Sequence, residues 1–200
     1  MPHLNVLANT NERYSSVLAA AARLIADEGF ERASIRAISR AAALSQAGVY
    51  HYFSCKEDIL YQIQKNTFTA LRNSLAARLD DSMSSQERLR VSIGNHLEFF
   101  IAHINELKVC TFEHQKLTGD YYQRILTVRR DYFRIVNKIV GEVLEENGDC
   151  KADSKRLTLY IFGSLNWIHM WYDTSRRTDV DIIVDEISNM VLFGIAGRGK

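Results

Sequence analysis

The chain has 200 residues, of which 46% are hydrophobic and 24% are charged, and its formal net charge is +1. This length allows one large domain or two small ones with a substantial core, and the composition is ordinary for a soluble globular protein. A net charge this small excludes nucleic-acid binding through bulk positive charge, so any basic footprint must be local.

The numbers and positions of proline and cysteine narrow the possible fold class and the redox environment of the protein. The single proline is Pro2, which is typical of long helices because proline costs roughly 3 kcal/mol in a helix interior. The cysteines, Cys55, Cys110 and Cys150, are odd in number and widely spaced, which indicates reduced thiols rather than a disulfide framework or a zinc site. The N-terminus is too polar for a signal peptide, and polar residues interrupt the most apolar segment, 157–172. We therefore expect a cytoplasmic protein without a membrane span.

Helical periodicity runs through nearly the whole chain. We predict helices at about 12–29, 35–41, 46–52 and 55–79, and longer amphipathic helices at about 85–103, 105–117, 120–147, 153–173 and 179–195. Gly29 fits a C-terminal cap, and Ser84 with Glu87 has capping-box spacing. The sequence thus predicts an all-α fold. We expect residues 1–55 to form a compact three-helix unit and residues 56–200 to form a larger helical bundle.

Two short helices near the N-terminus have the layout of a helix-turn-helix. Ser34 and Ser45 fit their N-caps, and the turn between them covers residues 42–44. Val49 and Phe53 are four residues apart in the second helix and are expected to pack inward. The second helix is then the recognition helix.

The charge pattern of this region favours DNA as its partner. From Arg32 to Lys56 there are four basic residues and no acidic one. Arg36 and Arg40 are four apart and share a helix face. In a chain of nearly zero net charge, such a window presents a local positive surface that suits DNA phosphates.

The N-terminal turn of the recognition helix is expected to enter the major groove. Gln46 is the strongest candidate for reading a base, because glutamine pairs bidentately with adenine, and its neighbours are small enough for close approach. Each feature alone is also typical of a core helix or a solvated face, but their order and spacing favour DNA binding. The predicted DNA-binding residues are Ser34, Arg36, Ser45, Gln46, Ala47, Gly48, Tyr50, His51, Tyr52 and Lys56.

The run "ASIRAISRAAALSQAGVYHYFSCKEDIL" resembles the DNA-binding signature of the TetR family of bacterial transcriptional regulators. The resemblance covers the first four helices, about a third of the chain. It implies an all-helical homodimer that binds a palindromic double-stranded DNA operator and releases it when a small molecule enters the C-terminal domain. It also implies that Tyr50, Tyr52 and Lys56 contact phosphates, and that Gln46 and its neighbours read bases.

Two positions depart from the family pattern. Ala43 stands in the turn where the family usually has glycine. Cys55 stands where serine or asparagine usually begins the fourth helix. Because cysteine caps a helix poorly, Ser54 with Glu57 is an alternative capping box there.

The C-terminal region has polar and aromatic residues on faces that would otherwise be plainly apolar, as a ligand cavity requires. They lie in the stretch 96–103, in "CTFEHQKLTGDYYQRILTVRRDYF" and in "FGSLNWIHMWYD". The last two resemble the ligand domain of TetR-type regulators of fatty-acid and sterol degradation, which respond to acyl-CoA thioesters. The shared features are Glu113-His114-x-Lys116-Leu117, Arg129-Arg130-x-Tyr132, and the run from Gly163 to Tyr172, although Met170 stands where such regulators often carry arginine.

This resemblance implies that an acyl chain lies among aromatic side chains and Met170, and that Arg129 or Arg130 meets the CoA phosphates. The predicted ligand-binding residues are Phe99, Phe100, His103, His114, Arg129, Tyr132, Phe162, Asn166, Trp167 and Met170. No cofactor, metal or catalytic residue is predicted.

Other readings of the C-terminal region stay open. The aromatic residues are also common in cores, and the "RRDYFR" run is also typical of an exposed face with salt bridges. A metal site could use His96, His103, His114 and His169, although they lack close ligand spacing. An enzyme would need a nucleophile such as Cys110 with His114 as its base. A transcriptional activator, or a DNA-binding regulator without a ligand, would carry the same N-terminal signature.

The last two predicted helices are apolar on more than one side, which exceeds the needs of a single packing stripe. Such a surplus favours a subunit interface. We expect a homodimer through these helices, with two recognition helices about one DNA turn or more apart. The residues in excess are Ile182, Ile183, Ile187, Met190, Val191 and Phe193.

Overall fold

A computed structural model describes residues 2–148, 152–172 and 179–194, with side chains from residue 11 onward. The helices are α1 (Pro2–Glu28), α2 (Ile35–Ala41), α3 (Gln46–Tyr50), α4 (Lys56–Arg78), α5 (Ser85–Ala102), α6 (Ile104–Phe112), α7 (Gly119–Glu146), α8 (Ser154–Asn166) and α9 (Val180–Phe193). Short 3₁₀-helices at His114–Lys116 and Trp167–Met170 follow α6 and α8. The described ranges contain no β-strand. The prediction of an all-α fold is confirmed.

Local side-chain capping explains where the short helices begin. Ser34 Oγ accepts a hydrogen bond from the Ala37 N–H at 3.1 Å, and Ser45 Oγ accepts one from the Gly48 N–H at 3.0 Å. Each bond satisfies an N–H group that has no partner within its helix. The predicted starts of both helices are confirmed.

Several predicted boundaries were wrong. The first helix begins at Pro2 rather than near residue 12. A proline at this place is compatible with a helix, because proline is tolerated in the first turn. The recognition helix ends at Tyr50 rather than residue 52. At the start of α4, the Ser54 N–H donates to Asp58 Oδ2 at 3.0 Å, so Ser54 pairs with Asp58 and not with Glu57.

The turn between α2 and α3 contains the one left-handed non-glycine residue of the described chain, Ala43, with φ +54°. This is the position where the TetR family usually has glycine. A left-handed conformation costs an L-residue about 1–2 kcal/mol, because its Cβ approaches a carbonyl oxygen. The alanine therefore adopts the backbone that a glycine would adopt at lower cost.

Replacing Ala43 with glycine is expected to raise the free energy of unfolding by up to about 1 kcal/mol, because relief of the left-handed strain outweighs the entropy that glycine adds to the unfolded chain. The neighbouring Ala42 is the matched control, since it is buried and has φ −86°. Ala42→Gly is expected to lower stability by about 1 kcal/mol. Urea unfolding measures both. Equal losses in the two variants would contradict the strained turn.

The chain divides into two compact units. Unit 1 contains residues 1–67 and 105–126, and therefore α1–α3, the first half of α4, α6 and the beginning of α7. Its core includes Val17, Ala21 and Ile25 from α1, each at most 1% exposed, together with Val49 and Phe53. The predicted inward packing of Val49 and Phe53 is confirmed.

Unit 2 contains residues 68–104 and 127–200, and therefore the rest of α4, α5, the longer part of α7, α8 and α9. α5 packs against α8 and α9. A Cβ on Gly94 would lie at an ordinary van der Waals distance, 3.6 Å, from Val184 Cγ1, so α5 faces α9 at this residue. The predicted capping box of Ser84 and Glu87 begins α5.

None of the helices in the described ranges is both long enough and apolar enough to cross a bilayer.

Candidate DNA-binding surface and effector site

The N-terminal turn of α3 is presented to solvent. The Gln46 and Ala47 side chains are exposed, and Ser45 caps the helix beneath them. A Cβ on Gly48 would lie 3.3 Å from Ser45 Oγ, so a larger residue would disturb the cap. The structure therefore places the residues predicted to enter the major groove together at the start of α3. They are Ser45, Gln46, Ala47 and Gly48.

The aromatic residues after this turn divide between core and surface. Phe53 is 2% exposed and stacks on Tyr14 with the ring centroids 4.9 Å apart. Tyr52 is half-buried, and its ring meets the Tyr14 ring edge-on at 6.4 Å. Tyr50 is 53% exposed, and His51 is also exposed. The phenol of Tyr50 is thus more open to a phosphate than that of Tyr52.

Arginines provide the positive charge of this surface. Arg36 and Arg40 are exposed on α2, and neither guanidinium has a hydrogen bond or ion pair with a described residue. Arg32 differs, because its Nε donates to the Glu28 carbonyl oxygen at 2.8 Å and so closes the end of α1. Two of the predicted cations therefore keep their full donor capacity for an anionic partner.

Lys56, predicted to contact phosphate, is engaged within unit 1. Its Nζ donates to the carbonyl oxygens of Phe30 at 2.9 Å and Glu31 at 3.3 Å, and it lies 4.3 Å from the centre of the Phe30 ring. These contacts join the start of α4 to the corner between α1 and α2.

Four of the predicted ligand-binding residues surround His96 in unit 2. Its Nδ1 lies 3.1 Å from the Tyr132 hydroxyl, and its Nε2 lies 3.1 Å from Asn166 Oδ1. The Phe162 ring stacks on it at 5.4 Å, and the Phe100 ring lies at 4.8 Å. We call these five residues the His96 cluster. Only His96 itself was missing from the predicted ligand site.

The His96 imidazole is neutral. Burial, opposed in part by the bond to Asn166, lowers its pKa from 6.5 to about 4. Since Asn166 Oδ1 can only accept, Nε2 carries the proton, and Nδ1 accepts from the Tyr132 hydroxyl. Burial also raises the pKa of Tyr132 well above its ordinary value. The cluster therefore stays uncharged at neutral pH.

The other predicted ligand residues lie elsewhere. Phe99 stacks on the exposed His103 with the centroids 4.4 Å apart. Arg129 lies over the Phe68 ring at 5.2 Å. Trp167 and Met170 are 54% and 59% exposed. The predicted helix gives way at Trp167 to a tighter 3₁₀ turn, which rotates these side chains from the face that a 3.6-residue period implies.

A cavity of about 550 Å³ lies in unit 2, and sequence reasoning missed it entirely. Its wall comes from the first turns of α5, the end of α7, α8 and the end of α9, and the lining residues within the described ranges carry no charge. Its one signal in the sequence is an apolar stripe on α7 that ends in a polar residue, Val140, Val143, Leu144 and Asn147. The full lining is Gln86, Leu89, Val140, Val143, Leu144, Asn147, Ala152, Leu157, Tyr160, Ile161, Ser164, Met190, Val191, Leu192 and Phe193.

The enzyme and metal alternatives gain no support from the geometry. Cys110 is 3% exposed, and His114 Nδ1 lies 3.1 Å from the Thr111 carbonyl oxygen. His114 belongs to unit 1, whereas His96, His103 and His169 belong to unit 2. In the described ranges, no three His, Cys, Asp or Glu residues are grouped as a metal would need.

Comparison with known proteins covers both parts of the chain. The family model described as "Bacterial regulatory proteins, tetR family" matches residues 17–63, and the one described as "Tetracyclin repressor-like, C-terminal domain" matches residues 82–195. The chain is 22% identical to the fatty acid metabolism regulator protein of Bacillus subtilis strain 168, over 93% of this chain and 97% of the relative. It is also 22% identical to the transcriptional repressor KstR2 of Rhodococcus jostii strain RHA1, over 92% and 91%.

Solved structures agree with this assignment. AibR, in complex with isovaleryl coenzyme A and operator DNA, superposes with a TM-score of 0.80 and 25% identity, over 89% of this chain and 97% of AibR. The fatty acid degradation regulator FadR of Bacillus halodurans superposes with a TM-score of 0.75 and 21% identity, over 93% and 97%. The predicted family is confirmed: the chain belongs to the TetR family of DNA-binding transcriptional regulators.

Proposed function

We propose that this regulator is a homodimeric repressor that binds a palindromic operator through α3 and is released by a small apolar effector. The observation that carries the DNA-binding part is the exposed, acid-free surface formed by α2 and the start of α3. Gln46 reads a base edge in the major groove, while Arg36, Tyr50 and the capped start of α3 fix the helix on the phosphates.

The dimer interface is the apolar surface of α8, α9 and the 3₁₀-helix between them. This surface holds most of the large apolar side chains that the described part of the chain leaves exposed. A second copy offers the same surface, so the two can cover each other symmetrically. The exposed residues are Leu159, Tyr160, Trp167, Met170, Trp171, Ile182, Met190 and Phe193.

The effector occupies the cavity of unit 2, whose volume falls in the range of small-molecule sites. The inner wall is apolar, with Leu89, Val140 and Ile161 each at most 4% exposed. Because the described part of the lining has no cation, the cavity takes an acyl chain or another neutral apolar group, and phosphates of a CoA carrier remain outside it. The likeness to the fatty acid regulator of Bacillus subtilis and to AibR supports an acyl-CoA as the source of that chain.

Fluorescence anisotropy with DNA from upstream of the protein's own gene tests the proposal. Operator affinity is expected to fall on the order of a thousandfold between roughly 50 and 200 mM salt. Saturating dodecanoyl-CoA is expected to raise the operator Kd at least about tenfold, since release requires tighter ligand binding to the DNA-free form. CoA alone should leave the Kd unchanged. Binding no tighter than to random DNA would count against the operator, and an unchanged Kd with dodecanoyl-CoA would count against this effector.

Filling the cavity is expected to block the effector but not the operator. Leu144 lines the cavity, and its neighbour Glu145 does not, so Leu144→Trp and Glu145→Trp form a matched pair on α7. We expect Leu144→Trp to weaken the dodecanoyl-CoA response at least about tenfold while operator affinity and Tm stay near wild type, because indole occupies the space of the ligand. Glu145→Trp should respond as wild type does. An equal response in both variants would place the effector elsewhere.

A further inference from the structure

The corner between α1 and α2 is held by a residue far away in the sequence. The Phe30 N–H donates to Glu113 Oε1 at 3.1 Å, across 83 positions of the chain. Gly29 has φ +83°, and a Cβ added there would lie 3.4 Å from the same oxygen. The left-handed corner thus lets a carboxylate reach the backbone, and a bond between a charged acceptor and a half-buried N–H is among the stronger kinds.

A second contact joins the same two segments. Lys116 Nζ lies 2.9 Å from Glu31 Oε1, and this ion pair lowers the pKa of Glu31 and raises that of Lys116. Both side chains are largely in water, so the pair contributes little stability alone. From the opposite direction, Lys56 binds the Phe30 and Glu31 carbonyl oxygens. The corner is therefore held by contacts to the Phe30 N–H, to the Phe30 and Glu31 carbonyl oxygens and to the Glu31 side chain.

A third contact lies at the other end of the helix-turn-helix. The Tyr121 hydroxyl lies 3.2 Å from Ser54 Oγ, directly before α4. The Tyr121 ring packs on Tyr61 with the centroids 5.2 Å apart, and Arg124 lies over the Tyr61 ring at 4.6 Å. The start of α7 is thus fixed to the start of α4 by packing as well as by the hydroxyl.

We propose that Glu113, Lys116 and Tyr121 form a latch that positions the DNA-reading surface. The latch holds residue 30 at one side of the helix-turn-helix and residue 54 at the other. Nine of the ten predicted DNA-binding residues lie between these two points, and Lys56 lies just beyond them. None of the three latch residues is itself predicted to touch DNA.

The latch deepens the proposed function, on which it rests, because α7 joins it to the cavity. This one continuous helix carries Tyr121 near its start and the cavity residues Val140, Val143 and Leu144 near its end. A ligand that displaces the end of α7 acts on the helix that bears Tyr121. The geometry thus identifies positioning residues for DNA binding at a site that sequence similarity suggested for the ligand.

Hydrogen exchange in the free protein tests the latch without DNA. In Glu113→Ala the Phe30 N–H loses its acceptor, so we expect exchange to rise about tenfold at the corner and also to rise in peptides that cover residues 34–53. Glu113→Gln retains an acceptor oxygen and should recover most of the protection. Glu106→Ala is the control, because Glu106 lies on α6 without a hydrogen bond or ion pair to any described residue. Exchange that rises nowhere, or only at the corner, overturns the latch.

Operator binding then separates positioning from contact. Glu113→Ala and Tyr121→Phe are expected to raise the operator Kd about tenfold and about threefold, with the salt dependence of wild type, because no phosphate contact is lost. A reduced salt slope, or a Kd equal to that of wild type, would overturn the positioning role. If the wild type shows no preference for its upstream DNA, the proposed operator fails, while the exchange data still decide whether the latch orders residues 34–53.

Discussion

Replacing Gln46 with alanine is expected to weaken operator binding by about tenfold to a hundredfold, because a bidentate contact to a base contributes roughly 1–3 kcal/mol of discrimination. Gln46 is exposed at the start of α3, so its side chain does not belong to the packed core. Stability should therefore match that of wild type. Anisotropy on the operator and on random DNA measures the effect, and affinity for random DNA should stay constant.

Arg36→Ala is the matched variant that removes a phosphate contact. It is expected to weaken binding to every DNA sequence and to reduce the slope of log affinity against log salt by about 1. The two variants thus separate base reading from phosphate binding on adjacent helices. If Gln46→Ala lost affinity equally for operator and random DNA, the base-reading role would be wrong.

The second large effect concerns acid stability and His96. The folded pKa of about 4 lies below the ordinary 6.5, so the unfolded chain takes up a proton first as the pH falls. The free energy of unfolding should therefore decrease by about 1.4 kcal/mol per pH unit between these two values, or by about 3 kcal/mol in all. Above pH 6.5 this contribution is fully present, and below pH 4 it is lost.

Two histidine variants assign this slope to one side chain. His96→Gln should be less stable than wild type at neutral pH, because Tyr132 loses its partner, but should lack the steep decrease below pH 6.5. His103→Gln changes an exposed histidine outside the His96 cluster and is the control, so it should keep the wild-type slope. Denaturant unfolding at several pH values measures both. A wild-type slope in His96→Gln would show that other groups cause the acid sensitivity.

Short-range features of this fold could be predicted from the sequence. Ser34, Ser45 and Ser84 each cap the helix that follows them by accepting a hydrogen bond from the N–H three residues on, so the whole interaction lies within four consecutive residues. The inward packing of Val49 and Phe53 follows from helical spacing alone. The predicted DNA-binding residues all lie between positions 34 and 56, so their order can be read without a structure, and their role stays a prediction.

The effector region could not be predicted in the same way. Helical spacing shows that Trp167 and Met170 have a common side, but it does not show whether another helix covers that side. The His96 cluster needs residues from α5, α7 and α8 to meet, and nothing local signals such a meeting. A cavity is harder still, because its defining property is space between side chains, and the Val140 to Asn147 stripe resembles any core face.

The contacts of the segment around Glu113 could not be predicted from the sequence either. Its partner Phe30 is 83 residues away, and the contact uses a backbone N–H, which carries no residue-specific signal. Similarity to ligand domains gave no indication of these contacts, in which Glu113 and Lys116 bind the corner between α1 and α2.

In the dimer proposed through the apolar surface of α8 and α9, operator binding depends on the abundance of the chain. In the proposed dimer, the pair occupies the operator, and the pair forms in proportion to the square of the chain concentration. At a low chain concentration, dissociation of the dimer competes with pairing. Operator occupancy would then rise and fall more steeply than synthesis of the chain. A modest decrease in its production would release the operator even in the absence of any effector.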